Sequence, residues 1–459
     1  MFKKFTNGAV HIVQRFLPDA FIFCIILTII IWIVCMPAAG VGPLQAIIGW
    51  GSGVWNLLAF SMQMALVLVL GNAFATAPAV KRFIVRIAKV PKTPASAIFF
   101  VTAISTICCF LQWGFGLVVG ALLAKEVARN MKGVDYRLLI ASAYSGFVVW
   151  HAGISGSIPL QVADISWTTS IRLPESYVGE AIPTSETIFA PWNLITCLVV
   201  LVAISFACMK MHPAPEDVVE VDASKLVQED FGSKRVASTP AEKMEDSPIL
   251  SGFIWVCGII YLIYYFKSNG FNLSLNIVNF IFLILGIAFH VRPISYVHAI
   301  DDAVKGAGGI ILQFPFYSGI MALMTLGGGS TGTNLAAIIS DFFVTISNKI
   351  TFPLFTFLSA GIVNFFVPSG GGQWTVQGPI VMPAAQTLGV PAGVAAMAIA
   401  WGDAWTNMLQ PFWALPALGI AGLGARDIMG YCAIVLIISG LIVGVLGFLI
   451  LVPNMAAGY

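Results

Sequence analysis

The chain is 459 residues long, with 58% hydrophobic and 10% charged residues and a net charge of +2. Apolar runs of the ~20 residues that a helix needs to cross a bilayer recur along its length. This composition predicts an all-α polytopic membrane protein in a lipid bilayer and excludes a soluble globular protein. The small net charge gives no reason to expect a nucleic-acid partner. The eight cysteines lack metal-ligand spacing, so no metal centre or other cofactor is predicted.

The first apolar run is too long for the core of a signal peptide and is predicted to be a retained helix. Two apolar segments, at about 95–124 and 350–388, either cross the membrane or enter it and return. Nine further stretches are predicted to span it, at about 19–39, 54–77, 138–165, 190–209, 249–266, 271–290, 308–327, 391–424 and 427–452.

Positive charge decides how the two uncertain segments are placed. Lys and Arg residues stand on both sides of 95–124, and cytoplasmic loops carry an excess of these residues. With two re-entrant hairpins and a cytoplasmic N-terminus, only Arg172, Lys267 and Lys349 lie outside. Single crossings would leave many more positive residues outside. The charge pattern therefore predicts two hairpins that enter from opposite sides.

The hairpin arrangement divides the chain into two inverted repeats. The first repeat covers 1–209, with its hairpin at about 95–124 and a broken helix at about 138–165. The second covers 271–459, with its hairpin at about 350–388 and a broken helix at about 391–424. Between them, 210–247 is rich in charge and is predicted to be a poorly ordered cytoplasmic linker, and 248–270 a connecting helix.

Polar, glycine-rich interruptions stand at matching places in the two repeats. Backbone that leaves the helix at membrane depth is tolerated only inside protein or a water-filled cavity, and paired interruptions are typical of secondary transporters. The free N–H groups after each hairpin tip suit a carboxylate. The alternative is that the glycines only permit close helix packing. The residues predicted to bind substrate are Gln112, Trp113, Gly114, Ser155, Ser157, Gln373, Trp374, Thr406 and Asn407.

The chemistry around the tips favours a small monoanion. No Lys or Arg is predicted at membrane depth near either tip, so a multiply charged substrate would lack counter-charge. Tryptophans flank the interruptions instead, and several of them could wall an apolar pocket for a short alkyl chain. Taken alone, each of them is better explained as scaffold packing. These residues are Trp113, Trp150, Trp374, Trp401, Trp405 and Trp413.

Two ionisable residues, His151 and Asp403, lie deep in predicted spans. Such residues are costly in a membrane and are functional candidates by default. Either could carry a proton during transport. Alternatively, Asp403 could bind Na⁺ together with backbone carbonyls and Asn407, or both residues could have a structural role in the broken helices.

At these residues the chain resembles the bacterial short-chain fatty acid transporter family. The matching stretches are 112–124, 151–160, 368–374 and 402–413, and the likeness covers essentially the whole chain. The resemblance implies uptake of acetoacetate, butyrate or similar monocarboxylates across the bacterial inner membrane. A more distant similarity to divalent anion–sodium symporters implies a homodimer with an elevator mechanism.

The sequence as a whole predicts a secondary active symporter for short-chain monocarboxylates. The Ser-Asn-Thr hairpin tips that hold sodium in the divalent anion symporters are absent here, so H⁺ is favoured over Na⁺ as the coupling ion. A membrane enzyme would need a nucleophile and base, for which only His151 with Ser155 or Ser157 is a candidate, and no catalytic residue is predicted. A channel would need a continuous polar lining, whereas opposed hairpin tips suit alternating access.

Overall fold

The computed structural model describes residues 20–163, 165, 180–221, 238–270, 273–327, 329–366, 368, 370–410, 412–456 and 458. These residues form helices and connecting turns, with no strand among them. The predicted all-α fold with re-entrant hairpins and broken helices is confirmed.

The four helices that precede the hairpin in each half build a shared scaffold. The first of them in the first half packs on the third in the second half, and the third in the first half packs on the first in the second half. This reciprocal pairing is what a twofold relation between the halves produces. The helices are α1 Ala20–Ala39, α2 Pro43–Gly53, α3 Leu58–Ala75, α4 Pro78–Ile87, and, from the second half, α12 Leu275–His290, α13 Pro293–Lys305, α14 Gly308–Met324 and α15 Leu335–Thr345.

Hairpin one consists of α5 (Pro94–Leu111) and α6 (Trp113–Asn130), separated only by Gln112. Glycines on α6 face α5, and glycines later in α6 meet residues earlier in α5. A Cβ on Gly116 would lie 2.4 Å from the backbone nitrogen of Cys109, and one on Gly120 would lie 2.6 Å from Ser105 Oγ. The two arms therefore run antiparallel and touch through glycine. The chain therefore reverses its direction at Gln112, the single residue between the two arms.

The first broken helix follows hairpin one. It consists of α7 (Tyr136–Ser145), a 3₁₀ segment (Gly146–Ala152), a turn, and α8 (Ser157–Val162). Pro159 in α8 and the glycines at 153 and 156 explain the break, because neither residue type favours a continuous helix. The long helix α9 (Pro191–Lys210) closes the first half.

The second half contains the same elements in the same order. Hairpin two consists of α16 (Phe352–Phe366) and α17 (Gly370–Leu388), and its arms are joined by side chains, since Gln373 Nε2 donates to the carbonyl of Ala360 at 2.7 Å. The second broken helix and the closing helix are α18 Ala392–Thr406, a 3₁₀ turn Phe412–Ala414, α19 Leu415–Ala421, α20 Ala425–Leu441, a π-helical stretch Ile442–Leu451, and α21 Val452–Met455.

The segment between the halves is partly docked. Val219 forms a backbone pair with the start of α7: its carbonyl accepts from Tyr136 N–H at 2.9 Å, and its N–H donates to Asp135 Oδ2 at 3.0 Å. The first part of the predicted disordered linker is therefore bound to the protein. Residues 222–237 lie outside the described part. Short α10 (Pro240–Glu245) and the connecting helix α11 (Pro248–Asn269) follow.

Five helical stretches in the described part are long and apolar enough to cross a membrane, and up to seven if each of two bent pairs counts as one span. The bends lie between α3 and α4 (71°) and between α13 and α14 (47°). The remaining predicted spans coincide with shorter or broken helices. One of the five, Pro94–Leu111, is the first arm of hairpin one, so its length alone would have suggested a crossing.

Candidate functional site

The two broken helices meet through a buried pair of ionisable residues. His151 Nδ1 lies 2.7 Å from Asp403 Oδ2, and both side chains are fully buried. His151 is in the 3₁₀ segment of the first half and Asp403 is in α18 of the second. The two ionisable residues predicted from the sequence thus contact each other, although they are 252 positions apart in the chain.

The backbone fixes the form of this histidine. Ile158 N–H donates to His151 Nε2 at 3.0 Å, and the Ser157 hydroxyl lies 3.0 Å from the same nitrogen. A backbone N–H can only donate, so Nε2 is an acceptor and the ring proton is on Nδ1. His151 is therefore a neutral imidazole whose Nδ1–H donates to Asp403 Oδ2.

Hairpin two approaches this pair without a side chain. An ideal Cβ on Gly370, the first residue of α17, would lie 2.3 Å from both His151 Cε1 and Ser157 Oγ. Real Cβ atoms do not come so close to other atoms, so only glycine fits here. The tip of the second hairpin is thus seated directly on the first broken helix.

Asn364 organises the second break, and the sequence analysis missed it. Its Nδ2 lies within 2.9 Å of three oxygens, namely the carbonyl of Asp403, Thr406 Oγ1 and Asn407 Oδ1. An NH₂ group has two hydrogens, so three acceptors share them. The one available signal was a lone amide in the apolar arm 352–366. Tyr144 adds a link from the first half by donating to the carbonyl of Asn407 at 2.8 Å.

The tip of hairpin one is held by its own residues and by the scaffold. Gln112 Oε1 accepts from the Phe115 N–H at the start of α6, and Gln112 Nε2 donates to the carbonyl of Val67 in α3 at 3.0 Å. A Cβ on Gly114 would lie 2.6 Å from that same carbonyl. Gln112 and Gly114, both predicted to bind substrate, thus pack against α3.

Trp113 turns the other way and joins an aromatic cluster. Its backbone N–H donates to Ser155 Oγ at 2.9 Å, which links hairpin one to the first break. Its ring lies 5.0 Å from that of Trp413 and 6.1 Å from that of Trp150, centroid to centroid, and Trp150 stacks on His151 at 4.2 Å. We call Trp113, Phe147, Trp150 and Trp413 the aromatic cluster; it joins both halves next to the pair of His151 and Asp403.

The other predicted tryptophans lie elsewhere. Trp401 donates to Asn193 Oδ1 at 2.9 Å, and Trp405 donates to the carbonyl of Leu436 at 2.7 Å, so both pack the helix bundle. Trp374 is fully buried in α17. Gln373, its neighbour, donates to the carbonyl of Ala360 and to Gln377 Oε1, across and along hairpin two.

Several buried polar atoms near the second break have no hydrogen-bond partner in the described part of the chain. They are Asp403 Oδ1, Asn364 Oδ1, Gln373 Oε1 and Asn407 Nδ2, and the indole nitrogens of Trp113, Trp150 and Trp413 have none either. Buried polar atoms are usually satisfied, so a group of unsatisfied ones suggests a ligand or an ion. The acceptors gather around Asn364 and Asp403.

Ser157, His151 and Asp403 have the order of a hydrolase triad, serine to histidine to aspartate. Ile158 N–H also donates to the His151 nitrogen that faces the serine hydroxyl. A group of three or more His, Cys, Asp or Glu residues able to hold a metal does not occur among the described residues. The arrangement is suited to holding and moving a proton.

Known proteins match this chain over nearly its whole length. The family model for short chain fatty acid transporters matches residues 1–451. A protein of Escherichia coli (strain K12), provisionally named short-chain fatty acid transporter, is 44% identical over 444 residues, covering 96% of this chain and 98% of its own. A protein of Haemophilus influenzae with the same provisional name is 44% identical over 442 residues, with the same coverage.

A solved structure supports the fold alone. The YdaH transporter of Alcanivorax borkumensis, whose crystal structure has an unusual topology, aligns with a TM-score of 0.54 over 96% of this chain and 100% of its own, at 14% identity. With hairpins, broken helices and a family match over nearly every residue, the chain belongs to the short-chain fatty acid transporter family.

Proposed function

We propose that the protein is a secondary active symporter that takes up a short-chain monocarboxylate, such as butyrate or acetoacetate, together with a proton. The observation that carries this proposal is the buried pair of His151 and Asp403, which joins the two broken helices at 2.7 Å. A carboxylate alone with a neutral imidazole is a group that can take up and release one proton. The family membership supplies the substrate class.

The surroundings of the pair support a monoanion. Among the described residues, the salt bridges that involve Lys or Arg lie at helix ends and loops, away from the pair. A substrate carrying one negative charge and accompanied by one proton is neutral as a pair, so it needs no fixed counter-charge. The aromatic cluster beside His151 offers apolar walls for a short alkyl chain. We place the substrate between this cluster and Gln373, Trp374, Thr406 and Asn407, with Trp113, Ser155 and Ser157 from the first half.

Sodium is the second candidate for the coupling ion. Asp403 Oδ1, Asn364 Oδ1 and Gln373 Oε1 are buried oxygens without partners in the described part of the protein. Oxygen atoms from carboxylates and amides are ligands that hard cations prefer. If Na⁺ is coupled, these oxygens are its expected ligands.

Uptake into sodium-free proteoliposomes decides between the two ions. We expect labelled butyrate to accumulate when the outside is made acidic, and to accumulate without added Na⁺. His151→Ala should abolish this accumulation, because the proton on Nδ1 is lost together with the ring. Accumulation that requires Na⁺ and ignores the pH gradient would overturn proton coupling. Equilibration without accumulation under either gradient would overturn symport itself.

Assembly and orientation belong to the same proposal. We infer a homodimer in the bacterial inner membrane with a cytoplasmic N-terminus, and an elevator movement in which hairpins and broken helices slide past the scaffold. The charge pattern supports the orientation, and the distant similarity to divalent anion–sodium symporters supports the dimer and the movement. Cross-linking between copies in native membranes tests the dimer, and labelling of cysteines placed in the loops at 40–42 and 131–134 tests the orientation.

A further inference from the structure

We propose that Ser157, His151 and Asp403 form a proton relay whose outlet is the Ser157 hydroxyl, covered by Gly370 at the tip of hairpin two. This proposal rests on proton-coupled uptake and names the route by which the coupled proton reaches Asp403. It also assigns Ser157, predicted above as a substrate contact, to the handling of the proton.

The three groups contact one another in succession and are fully buried. Ser157 Oγ is 3.0 Å from His151 Nε2, and His151 Nδ1 is 2.7 Å from Asp403 Oδ2. A ring that accepts at one nitrogen and donates at the other can take a proton on one side and release another on the opposite side. The far end can receive the proton at Asp403 Oδ2, which lies against His151 Nδ1, and Asp403 Oδ1 has no hydrogen-bond partner in the described part of the chain.

The transfer balances as a shift of one proton. The carboxylic acid form of the substrate gives its O–H proton to Ser157 Oγ, and the Ser157 O–H bond breaks as its own proton moves to His151 Nε2. The N–H bond at Nδ1 breaks in turn and its proton moves to Asp403. The products are a substrate carboxylate, an intact serine hydroxyl, a neutral imidazole with its proton on Nε2, and a protonated Asp403.

The backbone distinguishes the two forms of the relay. In the structure, Ile158 N–H donates to His151 Nε2 at 3.0 Å. Once Nε2 carries a proton it can no longer accept, so the Ile158 N–H loses this partner. Ile158 is in the first turn of α8, which packs against hairpin two. Protonation of Nε2 therefore changes the hydrogen bonding of α8 at its contact with hairpin two.

Gly370 covers the outlet. A Cβ at this position would lie 2.3 Å from Ser157 Oγ and from His151 Cε1, so the backbone of α17 rests against the hydroxyl. Withdrawal of hairpin two would uncover Ser157, whereas the seated hairpin closes it. Access to the relay and the position of the hairpin are thereby linked.

Asp403 is the charged group that contacts His151. The other titratable groups on helices packed around the 3₁₀ segment lie on α5 to α9. Those in the hydrophobic interior are cysteines and tyrosines, and the charged ones are at the far ends of the helices. They are Cys108, Cys109, Lys125, Glu126, Arg129, Tyr136, Arg137, Tyr144, Cys197, Cys208 and Lys210.

The test compares two assays in proteoliposomes for Ser157→Ala, Ser157→Thr and Ser145→Ala. The first assay is butyrate uptake driven by a pH gradient, which requires the proton to leave the relay in each cycle. The second is exchange of labelled for unlabelled butyrate at equal concentrations and equal pH, which requires binding and movement but no net proton release. Ser145 is the matched control, because its hydroxyl donates to the carbonyl of Ala141 within α7.

We expect Ser157→Ala to lower driven uptake by about 100-fold, the scale at which a positioned proton-transfer group acts, and to lower exchange far less, by at most the roughly 10-fold that the loss of one hydrogen bond to the substrate costs. Ser157→Thr keeps the hydroxyl and should restore driven uptake, and Ser145→Ala should leave both assays unchanged. Equal losses in both assays, unchanged driven uptake, or failure of the threonine variant to restore it would each overturn the relay. Wild-type protein that ignores the pH gradient would overturn the proposed function, and the relay with it.

A second variant tests the cover and does not depend on folding of the alanine variant at 157. Gly370→Ala places a Cβ where hairpin two meets Ser157, so the hairpin cannot seat and the outlet stays open. We expect a proton leak in substrate-free vesicles, followed with a pH-sensitive dye, well above that of Gly419→Ala, whose Cβ would meet no atom within 4 Å. Equal leaks in the two variants would overturn the assignment of Gly370.

Discussion

The two hairpin tips, at equivalent places in the two halves, treat their polar groups differently. At hairpin one, both polar atoms of the Gln112 side chain are used, one to cap α6 and the other to bond α3. At hairpin two, Gln373 Oε1 and the neighbouring atoms of Asp403, Asn364 and Asn407 have no hydrogen-bond partner in the described part of the chain. The first tip is thus closed by the protein itself.

This difference teaches that a twofold arrangement of helices need not give two equal sites. The first half contributes the histidine, the serines and most of the aromatic cluster. The second half contributes the carboxylate and amides with unsatisfied oxygens. Unsatisfied buried groups are costly unless a ligand or ion completes them. We therefore expect loss of side chains in the second half to affect transport, and loss of Gln112 to affect stability.

The largest effect is expected for Asp403→Asn. Asparagine keeps the shape of the side chain but cannot exchange a proton, so uptake driven by a pH gradient should fall by roughly 100-fold or more, the scale of a lost proton-transfer group. Butyrate exchange should persist, because the neutral amide resembles the protonated acid. The matched variant is Asp427→Asn, at the exposed start of α20, which should transport normally. Full gradient-driven uptake by Asp403→Asn would show that Asp403, and with it the second half, does not carry the coupled proton.

Next in size are Gln373→Ala and Asn407→Ala. Each removes an amide with an unsatisfied atom, Gln373 at the second tip and Asn407 at the second break, and a hydrogen bond to a charged partner contributes about 1.5–3 kcal/mol. Affinity for butyrate, measured by competition in the exchange assay, should fall roughly 10- to 100-fold. Unchanged affinity in both variants would mean that the substrate binds elsewhere. The second tip would then contribute no more to substrate binding than the first.

The Gln112→Ala variant examines the first tip. It removes the cap of α6 and the bond to the Val67 carbonyl, and two such interactions together contribute about 2 kcal/mol. We expect the temperature of thermal unfolding in detergent to fall by a few degrees, with a smaller loss of butyrate affinity than in Asn407→Ala. A loss of butyrate affinity as large as that of Asn407→Ala, with an unchanged temperature of thermal unfolding, would show that Gln112 contacts the substrate after all.

Much of the fold could be predicted from sequence because membrane depth restricts the backbone so strongly. Polar glycine-rich stretches within apolar runs predicted both hairpins and both breaks, and His151 and Asp403 were identified as the buried ionisable residues. Their contact could not be predicted, since it depends on how two distant segments pack. Asn364 was missed for the same reason: a single amide in an apolar arm gains its meaning only from the three oxygens that surround it.

The site list was less reliable than the fold, and Gln112 and Gly114 show why. Both stand in the interruption that marks hairpin one, so the sequence placed them with the substrate. In the structure their neighbours are residues of α3, a scaffold helix some forty positions earlier in the chain. A sequence pattern shows where the backbone must be compensated, but it does not show whether a ligand or another helix compensates it.

The smallest effect, on substrate choice alone, is expected for Trp413→Phe. Trp413 joins the aromatic cluster from the second half, 5.0 Å from Trp113, so a smaller ring there leaves room near the predicted alkyl pocket. Burial of one CH₂ group contributes about 0.8 kcal/mol, so each methylene of a longer acid that fills this room should improve relative affinity about fourfold. Competition by acetate, butyrate and hexanoate in the exchange assay measures the preference, with Trp401→Phe as the control outside the cluster. An identical order and spacing of affinities in both variants would mean that the alkyl chain does not touch the aromatic cluster, and the pocket would have to lie beside hairpin two instead.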